Sequence, residues 1–376
     1  MIDLRLVLFF TRGVALKTWD EVGMFEREVA IYRRLQECGV QVSFVTYGDA
    51  SDLRYADRFP GICILCNRWG LSPKRYERWL PLLHGWHLWR AGIYKTNQTN
   101  GADMALRAAR LFRKPLIARC GYMWSSLVRS RAVGGDFGEV EVASSLERKV
   151  FTAADGVVVT TAAMKKYVIE TYALPADKVH VIPNYVLNHI FTPRSDPSPN
   201  GRRICFIGRI SPEKNPMGLL EAVHGLDVEL VMIGDGPLRE KLRAKAKHSG
   251  VNLCLIGNLP HHELARYLNK ADIFVLPSPH EGHPKTLLEA MACGRPVIGT
   301  NVPGIREIIR HRETGYLCGT SPEEIRLAIQ DVLADADLGA RMGRNAREFV
   351  VENFALERVV ETELALLQEL TKGRKA

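Results

Sequence analysis

The sequence predicts an α/β protein made of two doubly wound parallel sheets in successive domains. Short apolar runs alternate with stretches of helical periodicity along both halves of the chain, which is typical of parallel sheets covered on both faces. A segment rich in proline and glycine, 184–203, interrupts this alternation near the middle. The length of 376 residues also exceeds what one hydrophobic core usually spans.

The first half opens with a strand at 4–10, a helix at 21–39 that Gly39 ends, and a strand at 40–48. Further apolar runs predict five more strands, at 62–66, 92–94, 116–118, 156–160 and 179–182.

In the second half the alternation is clearer. Strands are predicted at 203–208, 228–234, 252–257, 273–278 and 295–300, with helices at 215–223, 237–250, 261–271 and from residue 284 onwards. The tail from Ser321 is helical, and in this architecture a closing helix often crosses back to the first domain. We therefore expect domains at 1–187 and 188–355, and a C-terminal helix at 356–376 that packs on the first domain.

Composition favours a globular cytoplasmic chain. Charged residues make up 25% and hydrophobic residues 46%, and the N-terminal apolar run, 6–10, is too short for a signal peptide or a membrane helix. The eight cysteines lie scattered in apolar runs, which predicts free thiols used as small core residues. Cys63 and Cys66 have no second ligand pair at zinc-site spacing, so no metal is expected.

The net charge of +9 is concentrated in the first half, where residues 1–187 hold 26 basic and 18 acidic side chains. Within it, Arg68 to Arg90 has five basic residues against Glu77 alone, and four of the six tryptophans, at 69, 79, 86 and 89. Tryptophan beside Lys and Arg suits the interface of an anionic membrane. The alternative is an amphipathic helix whose tryptophans belong to the core. Nucleic acid is not predicted, because the basic residues form no recognised module.

Three places in the second half predict an anion site. At 208–215, 234–240 and 281–289 a turn containing glycine follows a strand and precedes a helix, which directs backbone N–H groups and a helix dipole to the carboxyl edge of the sheet. Pro237 and Pro284 are candidates for first-turn helix positions. Arg209 and Lys214 are cations suited to a diphosphate.

Glu281 and Glu289 flank the last of these turns, with seven residues between them. They could be an acid/base pair as in glycosidases, or hydrogen-bond acceptors for a sugar and a ribose. They could also be a dipole-matching Glu281 and an exposed helical Glu289. Spacing alone leaves these open. A dinucleotide site is disfavoured, because Arg239 stands where the third glycine of its fingerprint would be.

The second half resembles the donor domain of the retaining glycosyltransferases of family four, which have the GT-B fold. The resemblance covers about residues 181–319 and rests on "VIPNYV", "FIGRISPEKNP", "LVMIGDGPLRE", "LIGNLPHHELARYLNKADIFVLPS", "EGHPKTLLEAMACGRPVIGT" and "VPGIREII". It implies two Rossmann-like domains facing across a cleft. It also implies metal-independent transfer, with retention, of a sugar from a UDP- or GDP-sugar, which is a substrate rather than a cofactor.

Carried over by motif, the resemblance implies a set of site residues. Arg209 and Lys214 would hold the diphosphate, Glu281 the sugar hydroxyls and Glu289 the ribose. The assigned residues are Arg209, Lys214 and Glu281 as catalytic, and Gly23, Gly208, Gly234, Gly257, Asn258, Gly282, His283, Pro284, Lys285, Thr286 and Glu289 as donor-binding, with the backbone of 282–286 cradling sugar and phosphate and that of 257–258 meeting the base.

The first half departs from the family. Val22 stands where the first of two glycines is common, and Cys120 with Gly121 stands where a histidine is usual. Polar substitutes on the acceptor side are Asn97, Gln98, Arg119 and Tyr122.

We expect a cytoplasmic transferase at the inner face of the membrane, which moves the sugar to a glycan or lipid-linked acceptor in cell-envelope polysaccharide or glycolipid synthesis. The alternatives are a non-hydrolysing sugar-nucleotide epimerase and a nucleotide-sugar-binding accessory subunit.

Overall fold

A computed structural model describes residues 4–131, 138–194 and 202–372. The chain forms two compact units, Met1–Pro183 with Val359–Ala376 and Asn184–Arg358. The second unit thus begins slightly before the boundary expected after residue 187, and the return to the first unit falls at Val359 rather than at residue 356. Residues 195–201 of the predicted linker lie outside the described residues.

The first unit is built on a seven-stranded sheet with the order β3-β2-β1-β4-β5-β6-β7, in which all neighbours are parallel. Its strands are β1 (Leu4–Phe9), β2 (Val40–Asp49), β3 (Cys63–Asn67), β4 (Ile93–Thr96), β5 (Leu116–Cys120), β6 (Gly156–Val159) and β7 (Val179–Val181). Its helices before the boundary are α1 (Leu16–Glu21), α2 (Phe25–Glu37), α3 (Pro73–Leu83), α4 (Gly85–Arg90), α5 (Ala102–Phe112), α6 (Trp124–Arg131), α7 (Gly138–Ala153) and α8 (Ala162–Tyr172). The prediction of a doubly wound parallel sheet is confirmed.

The helix predicted at 21–39 corresponds to α2, which begins only at Phe25, and a separate short helix, α1, precedes it. α1 ends at Glu21, and Gly23 follows with φ of 72°, a left-handed conformation that glycine adopts without strain. α2 then begins at Phe25 and buries Phe25, Val29, Ile31, Tyr32 and Leu35, the face that its sequence periodicity predicts.

The second unit has a six-stranded parallel sheet with the order β10-β9-β8-β11-β12-β13. Its strands are β8 (Arg203–Ile207), β9 (Glu229–Ile233), β10 (Leu253–Ile256), β11 (Ile273–Leu276), β12 (Val297–Thr300) and β13 (Tyr316–Cys318). The helices from here to the end of the chain are α9 (Pro216–Ala222), α10 (Arg239–Ser249), α11 (Leu264–Asn269), α12 (Lys285–Ala292), α13 (Pro303–Arg306), α14 (Pro322–Ala334), α15 (Ala336–Phe354) and α16 (Leu356–Lys372). α16 belongs to the first unit from Val359 onwards.

Two details of the second unit differ from expectation. The edge strand β13 was not among the predicted strands. Pro237 is not a first-turn residue, because it lies in a turn and α10 begins only at Arg239. Pro284 instead immediately precedes the first residue of α12.

The structure tests the expectations, drawn from the sequence, that the cysteines are free core residues and that the chain has no membrane helix. All eight cysteines are free, but only Cys66, Cys120, Cys205 and Cys293 are buried, and Cys254 is exposed on the edge strand β10. The expectation that all of them serve as core residues is therefore wrong. Within the described residues, no helix combines the length and apolar character needed to cross a membrane.

A buried ion pair holds α16 on the sheet of the first unit. Lys95 of β4 donates from Nζ to Glu363 Oε1 of α16 at 2.5 Å, and both side chains are almost fully buried. Burial lowers the pKa of Lys95, and the charge of Glu363 opposes that shift. Two charges taken out of water in this way need each other, because a lone buried charge is far more costly than a paired one.

We expect Lys95→Met to lower the free energy of unfolding by about 3–5 kcal/mol, because it leaves the Glu363 carboxylate buried without its cation. Adding Glu363→Leu should restore most of that loss. Urea denaturation measures both changes. The matched control is Lys166→Met, which removes the lysine of the exposed Lys166–Glu170 pair. A loss from Lys95→Met no larger than that of the control would contradict the role assigned to the buried pair.

Candidate functional site

The strand order of the second unit reverses between β8 and β11. In open parallel sheets, ligands bind at the carboxyl ends of the strands where such a reversal separates the two following loops. Here the two loops are 208–215 after β8 and 277–284 after β11. They contain most of the residues that the sequence nominated.

An ion pair joins these two loops. Lys214 Nζ donates to Glu281 Oε1 at 2.6 Å, and the two side chains are 28% and 8% exposed. The structure therefore brings together a predicted diphosphate cation and a predicted sugar acceptor. An arriving anion can take up the N–H donors of Lys214, and the Glu281 carboxylate is then able to accept hydrogen bonds from hydroxyl groups.

The loops after β8 and β9 lie backbone against backbone. A Cβ on Gly234 would sit 2.1 Å from the carbonyl oxygen of Gly208, and one on Gly236 would sit 2.4 Å from that of Ile210. Hydrogen bonds join the same segments, from Gly208 N to Ile233 O and from Ile210 N to Asp235 O, both at 3.0 Å. Glycine at 234 and 236 is thus required by this close approach.

The loop after β11 is fixed by two residues that sequence analysis did not nominate. Asn184 donates from Nδ2 to the carbonyl oxygen of His283 at 2.6 Å. A Cβ on Gly304, in α13, would sit 2.1 Å from the carbonyl oxygen of Gly282. Both lie in the quoted motifs "VIPNYV" and "VPGIREII", but the pattern alone does not show what they touch.

The side chains of His283 and Pro284 are buried. The His283 ring packs edge-on against Phe354 at 5.1 Å between centroids and is only 6% exposed. Lys285 and Thr286, in the first turn of α12, are partly exposed. Between 282 and 286 the groups available to a ligand are therefore chiefly the backbone and the first turn of the helix.

Glu289 is buried within α12 and is 1% exposed. Its Oε1 lies 2.8 Å from Nε2 of His261. The interpretation of Glu289 as an exposed helical residue is therefore wrong.

Three further predicted residues lie on the loops around this edge of the sheet. Arg209 and Asn258 are exposed, and Gly257 is partly exposed with no atom within 4 Å of where a Cβ would stand. Nearby, Arg239 donates to the carbonyl oxygens of Gly234 and Leu255 at 3.3 and 3.4 Å. An arginine at that position ties the ends of β9 and β10 together.

In the first unit, the residues predicted on the acceptor side gather at the ends of β4 and β5. Gln98 Oε1 accepts from Gly121 N at 2.9 Å, and Arg119 Nη1 donates to the carbonyl oxygen of Asn97 at 3.1 Å. Tyr122 follows in the next turn and is 37% exposed. A Cβ on Gly121 would sit 2.8 Å from Gln98 Nε2, so the amide occupies the space beside this glycine.

Two other first-unit positions have structural explanations. Burial raises the pKa of the Cys120 thiol, so Cys120 stays neutral and is no substitute for an imidazole base. Gly23 serves as the residue that ends α1, and its positive φ accounts for the glycine. Its predicted contact with a donor stays a prediction.

A metal-binding cluster was not expected from the sequence. Across residues 4–131, 138–194 and 202–372, no group of three or more His, Cys, Asp or Glu side chains is arranged to hold a metal ion.

Two family models match the chain. The model for glycosyl transferases group 1 matches residues 191–349. The model for a glycosyl transferase 4-like domain matches residues 26–185.

Curated relatives match over different shares of their length. The α-maltose-1-phosphate synthase of Mycolicibacterium smegmatis is 29% identical over 65% of this chain and 70% of its own. The N-acetyl-α-D-glucosaminyl L-malate synthase of Bacillus anthracis is 39% identical, but the match covers only 37% of this chain and 36% of that protein. The D-inositol 3-phosphate glycosyltransferase of Thermobispora bispora is 27% identical over 88% of this chain and 86% of its own.

Solved structures share the whole fold at low sequence identity. The sucrose-phosphate synthase of Thermosynechococcus elongatus aligns with a TM-score of 0.81 and 20% identity, covering 98% of this chain and all of that one. Anabaena HepE in complex with UDP-glucose aligns with a TM-score of 0.76 and 15% identity, covering 97% and 99%. The two-domain architecture predicted from sequence is confirmed at the level of fold.

We expect Gly304→Ala to lower the free energy of unfolding by about 1–3 kcal/mol, because the new methyl group overlaps the backbone at Gly282. Chemical denaturation of the purified chain measures the change. Gly339→Ala in α15 is the matched control, since its Cβ would meet its nearest neighbour at an ordinary 3.4 Å. Equal stability of the two variants would show that the loop after β11 moves aside without cost.

Proposed function

We propose that the chain transfers a sugar with retention from a UDP- or GDP-sugar, as a member of the glycosyl transferases group 1 family, whose model matches residues 191–349. The acceptor is a glycan or lipid-linked sugar, in cell-envelope polysaccharide or glycolipid synthesis. The observation that carries this proposal is the Lys214–Glu281 ion pair between the loops after β8 and β11. The pair lies where the strand order reverses, and we assign its cation to the phosphate and its carboxylate to the sugar hydroxyls.

The comparisons support a nucleotide-sugar donor. The solved structure of HepE is described as a complex with UDP-glucose, and the chain shares its fold. The relatives are named for making maltose 1-phosphate or for glycosylating inositol 3-phosphate.

In the proposed reaction, the bond between the anomeric carbon and the diphosphate oxygen breaks, and a bond from that carbon to an acceptor oxygen forms on the same face. The proton of the acceptor hydroxyl passes to the departing phosphate oxygen. Negative charge grows on the diphosphate as the sugar becomes oxocarbenium-like. Arg209, Lys214 and the N–H groups of the first turn of α12 stabilise that charge.

The remaining donor contacts follow from the same assignment. Glu281, released from Lys214, accepts hydrogen bonds from the sugar hydroxyls, and Glu289 accepts them from the ribose. The charge stabilisation assigned to arginine, lysine and helix amides needs no metal ion, so we propose a metal-independent enzyme. On the acceptor side, we assign Asn97, Gln98, Arg119 and Tyr122, which lie at or just after the ends of β4 and β5.

The epimerase alternative loses its supporting residue. An epimerase needs acid/base groups beside the sugar, and His283 was the nearby candidate. Its ring packs on Phe354 within the second unit, away from solvent. A binding-only accessory subunit would show nucleotide-sugar binding without transfer or slow donor hydrolysis.

We expect Lys214→Ala to lower kcat by about 10²–10³-fold, because a preplaced charge on the leaving group is lost. We expect Glu289→Ala to raise the donor Kd by about tenfold or more, because a charged hydrogen-bond acceptor is lost. A screen of UDP- and GDP-sugars by thermal shift identifies the donor, and a transfer assay measures kcat. Lys241→Ala, an exposed lysine of α10, is the control. Near-wild-type kinetics in both variants would refute the assignment of these residues.

A second part of the proposal concerns the aromatic ridge, defined as the exposed side chains along α3 and α4 of Arg75, Arg78, Trp79, Leu82, Trp86, Trp89 and Arg90. The tryptophans at 79, 86 and 89 are 48%, 63% and 58% exposed, and Leu82 is 65% exposed. The alternative that the tryptophans of this segment belong to the core is therefore wrong.

The charged side chains of the ridge are all arginines and therefore positive. Arg90 lies over the ring of Trp86 and Arg78 over that of Trp79, at 5.1 and 5.9 Å from the ring centroids. Glu77, the acidic residue of the segment, is bonded to Arg12 at 3.1 Å. We therefore propose that the ridge rests on the surface of an anionic membrane, where the rings enter the headgroup region and the guanidinium groups meet lipid phosphates.

We expect Trp79→Ala with Trp86→Ala to weaken binding to phosphatidylglycerol-containing vesicles by at least about tenfold, because less apolar surface enters the interface. Vesicle co-sedimentation at low and high salt measures this. Leu327→Ala, at an exposed apolar position of α14, is the control. If the wild-type chain ignores anionic vesicles at low salt, or the double variant changes only stability, the ridge is no membrane surface.

A further inference from the structure

His261 and Glu289 form a buried pair in the second unit. His261 begins the 3₁₀ turn His261–Glu263, which directly follows the loop 257–260 after β10. Its Nε2 lies 2.8 Å from Oε1 of Glu289, and the two side chains are 2% and 1% exposed. The sequence around either residue does not predict this pair, because the two residues are 28 positions apart.

The rest of the imidazole has an apolar setting. Its ring packs on Phe191 at 4.9 Å between centroids. Its other nitrogen, Nδ1, has no hydrogen-bond partner within the described part of the chain. Among the described residues, the hydrogen bond to Glu289 therefore offsets the desolvation cost of burying the polar imidazole ring.

The ionisation of Glu289 decides the direction of this hydrogen bond. When Glu289 is ionised, its carboxylate can only accept, and Nε2 of His261 is then the donor to Oε1. A carboxylate held by one oxygen cannot rotate freely about its last torsion, and the direction of Oε2 is thereby set. Holding an acceptor in place before its ligand arrives lowers the entropic cost of binding.

We propose that His261 is a positioning residue that orients Glu289 toward the ribose hydroxyls of the nucleotide. His261 directly follows the loop assigned to the base, and Glu289 is assigned to the ribose, so the pair connects the groups that bind the two parts of one nucleoside. The inference rests on the proposed function, because Glu289 has a ribose to bind only if the donor is a nucleotide sugar.

A purely structural histidine makes a different prediction. If the imidazole only fills space, an apolar side chain of similar volume keeps the packing and leaves nucleotide affinity unchanged. Methionine and glutamine have similar chain length and differ in the property at issue, since the glutamine amide can donate to Glu289 and the methionine thioether cannot.

The test compares His261→Met with His261→Gln in the full-length chain, using UDP and GDP as probes in isothermal titration calorimetry. We expect His261→Met to raise the Kd of the bound nucleotide by about tenfold and His261→Gln to remain within about threefold of wild type. Turnover at saturating donor should change little in either. His262→Ala is the control, because this neighbouring histidine is exposed.

A second probe separates orientation from folding. A nucleoside diphosphate that lacks both ribose hydroxyls gives Glu289 nothing to accept, so the affinities of His261→Met and wild type for it should be equal. In a Glu289→Gln background, His261→Met should likewise add little further loss, because the two residues act through the same contact.

The outcomes are distinct. Equal weakening of the normal and the dideoxy probe, or equal loss in the Met and Gln variants, would overturn the positioning role and make His261 a packing residue. Wild-type affinity in His261→Met, with Glu289→Ala still impaired, would overturn it as well and leave the donor assignment intact. A wild-type chain that binds neither UDP nor GDP would instead refute the proposed function.

Discussion

The ion pair between Lys214 and Glu281 is the interaction on which the candidate site of the second unit depends. It links two loops that are 67 positions apart in sequence and are neighbours because β8 and β11 are adjacent in the sheet. With Glu281 only 8% exposed, its charge needs a nearby cation. In the proposed function, the hydroxyl groups of the donor sugar satisfy the carboxylate, and the donor phosphate satisfies the ammonium, when the donor replaces their mutual contact.

Backbone contacts, together with the side chain of Asn184, hold the loops around that pair. Gly234 and Gly236 press against the carbonyl groups after β8, and Gly304 presses against the carbonyl of Gly282. Such contacts leave little freedom, because neither peptide group can turn without overlapping the other. The N–H groups at the edge of the sheet are thus presented in fixed directions, which electrostatic stabilisation of a developing charge requires. The buried pair of His261 and Glu289 extends the same arrangement from backbone to side chain.

In the first unit, a buried ion pair stabilises the fold. Lys95 and Glu363 join the central strand β4 to the last helix of the chain, and no part of that bond reaches solvent. At the surface, Arg12 takes up the acidic Glu77 and leaves the aromatic ridge basic. With Glu77 paired to Arg12, the exposed charged side chains of α3 and α4 are Lys74, Arg75, Arg78 and Arg90.

Local sequence determined the regular elements, because the periodicity of apolar residues reports which face of a strand or helix is buried. It also placed Arg209, Lys214 and Glu281 after strands, since glycine-containing turns mark strand ends. Tertiary structure alone decided the pairs, among them Asn184 with His283, 99 positions apart, and Lys95 with Glu363, 268 positions apart. Strand order and the return of α16 create these neighbours, and no pattern within a short window contains either. For the same reason the spacing of Glu281 and Glu289 left their roles open, whereas their partners, a lysine and a histidine, distinguish one from the other.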